Sequence, residues 1–146
     1  MAKRILVAVD HEPPAELLDL IHDAAHGGGA TVRLVHVAST PDNVIGKDGY
    51  VIAFADQEVA RLEAEGHDML RTIELRLGGV RVESVVRFGD PADQIVREAE
   101  DFDADLIAIP THARSGVARL LFGSVAEQVA RRAPMAVALI RPRITR

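Results

Sequence analysis

Five short apolar runs punctuate this chain: Ile5 to Val9, Val32 to Val37, Val80 to Val86, Leu106 to Ile109 and Met135 to Ile140. Most are rich in valine and isoleucine and nearly continuous, which is how strands buried on both faces read. A strand with no solvent face needs cover above and below, so the chain is restricted to an α/β layer architecture. The third run alternates in part, with Arg81 and Glu83 among its valines and Arg87 after them. It is expected at the outside of the sheet.

Helical patterns separate the runs. Pro13 and Pro14 suit a first helical turn, because proline lacks only an N–H that would be orphaned there. Leu17, Leu18, Ile21, Ala24 and Ala25 follow as a stripe, and Gly27-Gly28-Gly29 ends it. A longer helix is expected from Val51 through Ala55, Val59, Leu62, Gly66, Met69, Leu70 and Ile73 to Leu77, closed by Gly78-Gly79. Gly66 inside it costs about 1 kcal/mol against alanine, so it reads as a point of close packing on the sheet. Asp90-Pro91 opens a third helix as cap and first residue. Ser124, with Glu127 three residues on, opens a fourth, which Ala133-Pro134 stops. The alternation predicts a parallel sheet with right-handed crossovers. The one long loop lies between Ser39 and Tyr50.

The length, 146 residues, fits one domain covering 1–146. There is no cysteine, which rules out disulfides and thiolate metal sites. A net charge of -5, with four Phe, one Tyr and no Trp, argues against nucleic acid, which wants a basic face and stacking rings. No run approaches the roughly 18 apolar residues of a membrane span. The start MAKRILVAVD has too short an apolar stretch for a secretory signal, so a cytoplasmic location is expected.

In an open parallel sheet, ligands bind beyond the carboxyl ends of the strands where strand order reverses. Asp10 ends the first run, His36 and Val37 end the second, and Val37 and Ala38 would line either a base pocket or the core. Pro110 to Phe122 follows the fourth run and leads into a helix, whose free N–H groups and dipole suit phosphate. His112, Arg114 and Arg119 lie in that segment. Other patterns carry less. His22 and His26 stand four apart on a helix, but no third ligand accompanies them, so they read as surface histidines. Asp101, Asp103 and Asp105 lack the glycine and distal glutamate of a calcium loop. No nucleophile–base pair, Walker A motif or Rossmann fingerprint is visible.

Residues 110–124, PTHARSGVARLLFGS, resemble the signature of the universal stress protein family: glycine, two residues, glycine, nine residues, then Gly-Ser or Gly-Thr. VAVD at the first strand end, LVHV at the second, Gly89-Asp90-Pro91 and PMAVALI are similar to the family as well, so the resemblance spans the chain. It implies a doubly wound five-stranded sheet in the order 3-2-1-4-5 with four helices, of the adenine nucleotide alpha hydrolase-like type. It implies ATP, with Mg²⁺ only if ATP binds, held by Asp10, Val37, Pro110, Ala113, Arg114, Gly123 and Ser124. It implies a homodimer through Met135 to Ile140, which an apolar sheet edge also invites. Two signature positions depart. Pro110 stands for the first glycine and has no N–H to give. Ala113 stands for the second, and its Cβ opposes a left-handed backbone and close approach. His11 and Glu12 follow Asp10 where the family often has glycine and serine.

The expected function is a stress-response binding and regulatory protein rather than an enzyme with rapid turnover. Pro110 and Ala113 favour a nucleotide-free interaction protein. Gly123-Ser124 and Asp10 favour an ATP-sensing module.

Overall fold

The computed structural model describes residues 3–10, 13, 15–40, 44–45, 47, 49, 51–53, 55–110 and 125–140. Their elements are β1 (Arg4–Ala8), α1 (Ala15–His26), β2 (Thr31–Ala38), β3 (Val44–Ile45), β4 (Val51–Ala53), α2 (Ala55–Arg76), β5 (Arg81–Phe88), α3 (Pro91–Phe102), β6 (Leu106–Pro110), a helix α4 over residues 125–132, and β7 (Ala136–Ile140). Five strands form one sheet in the order β5-β2-β1-β6-β7, every pairing parallel. Counting those five along the chain gives 3-2-1-4-5, as expected. The charged outer strand is β5 and the apolar outer strand is β7.

Alternate residues of β1 supply two cores. Leu6 and Ala8 pack with Val35, Ile107, Ile109 and residues of α3 and α4. Val7 and Val9 pack with Val32, Leu34, Ala108 and residues of α1 and α2. Each fully buried Leu or Val contributes about 1.5–3 kcal/mol relative to exposure.

Three local expectations are corrected. Val51 does not start the long helix. Val51 to Ala53 form β4, antiparallel to β3 within the expected loop, and α2 begins at Ala55. Two β-branched residues favour extended pairing there over a helical turn. Ala24 fits the spacing of α1 but is exposed, and alanine has too little apolar area to settle a helix face. Pro13 is buried two residues before α1 rather than in its first turn, and Pro14 lies outside the described residues. The third helix begins as expected. Asp90 caps it with an extended backbone, and its carboxylate accepts from the Asp93 N–H at 3.0 Å.

Gly66 is buried where α2 meets β2 and β5. A Cβ there would stand 3.0 Å from Val86 Cγ2 and 3.2 Å from His36 Cδ2. Val86 is stiff at χ1 and His36 is hydrogen-bonded, so neither yields easily. Gly66→Ala should gain about 1 kcal/mol of helix propensity and lose roughly 1–3 kcal/mol to overpacking. A lowered melting temperature is therefore expected, and a raised one would refute the close approach.

Among the described residues, Glu98 is the one buried charged side chain, at 5% exposure. It lies on α3 and accepts from Arg33 of β2 at 2.8 Å and Arg87 of β5 at 3.0 Å. Arg33 also donates twice to Glu83, while its guanidinium stacks 4.2 Å over the Phe102 ring. Arg87 reaches Gln94 and Asp101. Burial works to lower the Arg33 pKa, but hydrogen bonds to Glu83 and Glu98 outweigh it and hold the pKa above its ordinary value. Both arginines keep partial solvent contact and other acidic partners. Glu98→Ala should therefore cost on the order of 2 kcal/mol, less than a fully buried broken pair. Urea denaturation measures it, and a change below about 0.5 kcal/mol would show the network to be dispensable.

Candidate functional site

The sheet order fixes where a crevice opens. β1 pairs with β2 on one side and β6 on the other, and the chain leaves β1 toward one side but returns to β6 on the other. The carboxyl ends of β1 and β6 therefore lie side by side where the strand order reverses, which is the switch point of an open parallel sheet.

Asp10 stands exposed at the end of β1, directly at this point. Val37 is half-buried near the end of β2 and packs against the core shared with α3 and α4. Pro110 is buried and belongs to β6 itself, paired with Ile140. Ala113, Arg114, Gly123 and Ser124 lie outside the described residues, as do His11, Glu12, His112 and Arg119. The structure therefore brings Asp10, Val37 and Pro110 to one edge of the sheet.

The end of β1 has a fastening that sequence spacing did not reveal. The Val9 N–H donates to the Val35 carbonyl at 2.8 Å. The Val9 carbonyl is met by His36 Nδ1 at 2.9 Å. A carbonyl only accepts, so Nδ1 carries the proton and Nε2 is the ring's acceptor when neutral. Beyond the end of β5, the Gly89 N–H extends the ladder to the Ala38 carbonyl at 3.0 Å, with Gly89 at φ 133°. That φ favours glycine before the Asp90 cap.

The chain matches the universal stress protein family over residues 1–141. The chain belongs to that family. A universal stress protein of Methanothermobacter thermautotrophicus is 34% identical over 146 residues, covering 97% of each chain. The solved structure of MJ0577, a universal stress protein of Methanocaldococcus jannaschii, superposes with a TM-score of 0.77 at 25% identity, covering 99% of both chains. The universal stress protein of Archaeoglobus fulgidus, solved in complex with dAMP, shares the fold with a TM-score of 0.61 at 24% identity, over 94% of this chain and 97% of that one.

Within this universal stress protein fold, other polar clusters hold structure. His22 and His26 stack with ring centroids 5.1 Å apart, and His22 Nε2 donates to the Gly78 carbonyl at 2.8 Å, so the pair clasps the turn after α2. Asp101 meets Arg87, Asp103 forms the left-handed cap of α3, and Asp105 accepts from the Arg4 N–H at 2.9 Å. Among the described residues, no three His, Cys, Asp or Glu side chains group as metal ligands. No described helix is long and apolar enough to cross a membrane.

Proposed function

We propose that this chain is a regulatory binding protein of the stress response. Its switch-point crevice takes an adenine nucleotide weakly, and any turnover is slow. The observation that carries this reading is Asp10 exposed beside the β1–β6 switch point, in a fold whose Archaeoglobus relative was solved with dAMP. ATP is the nucleotide proposed, with Mg²⁺ arriving on its phosphates. Asp10 and Val37 would meet the nucleoside end. The segment 110–124, with Ala113, Arg114, Gly123 and Ser124 following Pro110, would face the phosphates. The reading takes residues 1–146 as one domain acting in the cytoplasm.

Weak binding follows from Ala113, whose Cβ obstructs the approach a glycine would allow. Isothermal titration with ATP and Mg²⁺ tests this on the wild type, Ala113→Gly and the Pro110→Gly/Ala113→Gly pair. Tighter binding by about tenfold in Ala113→Gly is expected, the worth of roughly one recovered hydrogen bond. Silence from all three, with each folded by circular dichroism, would reject the nucleotide. It would leave a nucleotide-free interaction protein, the reading that Pro110 and Ala113 favour.

We further propose that the protein is a homodimer through β7. The two edges of the sheet differ in kind. β5 carries Arg81, Glu83 and Arg87, whereas β7 reads AVALI and leaves Leu139 52% exposed. Charges blunt an edge against pairing, and an apolar edge invites it. Wild-type protein should scatter light as twice the chain mass, and Leu139→Lys or Val137→Glu as a single chain. A variant that stays dimeric would place the interface elsewhere.

A further inference from the structure

We propose that His36 is a positioning residue of the crevice: seated against Gly66, its ring holds the Val9–Asp10 peptide and so aims Asp10 at the switch point. The proposal rests on reading that crevice as a ligand site.

The β1–β2 register runs to Ala8 opposite Val35. One rung further, the Val9 N–H still finds the Val35 carbonyl, but the Val9 carbonyl is taken by a side chain, His36 Nδ1 at 2.9 Å. Val9 is 4% exposed, so little water competes for that carbonyl. The peptide unit is planar and trans, so its N–H points opposite to its C=O. Fixing the Val9 carbonyl toward β2 therefore turns the Asp10 N–H toward β6. The position from which the Asp10 side chain departs is set in the same stroke.

The ring has a built seat. Any Cβ at position 66 would stand 3.2 Å from His36 Cδ2, so the glycine of α2 leaves the space the imidazole occupies. Packing alone does not account for a histidine there. Its neighbours along β2 are Leu34, Val35 and Val37, and an aliphatic residue would fill the run without burying polar atoms.

Three variants separate positioning from bulk. His36→Asn places an amide N–H near the site of Nδ1, His36→Gln places it near Nε2, and His36→Ala removes it. Nitrogen NMR of the wild type, with the imidazole neutral, should show the Nδ1–H tautomer. Exchange of the Val9 amide should stay near wild type in His36→Asn and quicken by about tenfold in His36→Gln and His36→Ala. The Kd for ATP should follow the same order, with about tenfold weakening in the last two. An Nε2–H tautomer, or equal exchange in His36→Asn and His36→Gln, would overturn the proposal. If wild-type protein gives no heat with ATP, the nucleotide reading fails, and the tautomer and exchange results decide the role of His36 by themselves.

Discussion

Strand β1 has no solvent face and no free edge. Leu6 and Val7 are fully buried on opposite sides of the sheet, and β2 and β6 flank the strand in register. Both helical layers pack on its alternating side chains, because each cluster takes every second residue of β1. The same centrality places the reversal of strand order beside β1. A strand paired on both sides by parallel neighbours forces the chain to depart one way and return the other, which sets the switch point at its carboxyl end. The core and the switch point are thus two consequences of one buried strand.

The α3 layer is tied to this sheet by charge as well as by packing. Arg33 is a polar residue within the apolar run of β2, on the α3 side, and the register sets it directly opposite Glu83 of β5. Glu98 joins it to Arg87, which also holds Gln94 and Asp101. Replacing such a cluster by apolar residues is often neutral for stability, so its value here is directional. It fixes the rotation of α3, whose capped N-terminus at Asp90-Pro91 opens at the same sheet edge as Asp10.

The strands were legible because buried parallel strands write themselves as unbroken Val and Ile runs, and the two edges because one was charged and the other was not. Strand order was not contained in periodicity. It came from the resemblance and was then met by the pairing. The start of α2 misled because residues 51, 55 and 59 fit a helical step, while the choice of β4 depends on a partner strand seven residues upstream. The network of Glu98 was invisible for a related reason. Positions 33, 83, 87 and 98 converge only once two parallel registers are known. Of the candidate ligand residues, Asp10 and Val37 were chosen for their places at strand ends and Pro110 for its place in the signature. The role of His36 required the carbonyl it faces, which no spacing encodes.

Pro110 illustrates how placement changes the weight of a residue. Read in a loop, a proline at the first signature position removes a phosphate donor. In the structure it is the last residue of β6. Val9 donates to Val35 of β2, so even-numbered residues of β1 face β6, and the register Val7↔Ala108 turns the even-numbered residues of β6 toward β1 and the odd-numbered ones toward β7. The N–H that Pro110 lacks would have pointed at β1, and the β1–β6 pairing stops at Val7↔Ala108 while the β6–β7 pairing runs on to Ile140. The missing donor is therefore a lost rung between the two inner strands β1 and β6, at the carboxyl end of the pairing. At that edge of the sheet the end of β1 is fastened by the His36 clasp, and β6 ends in a proline of fixed φ.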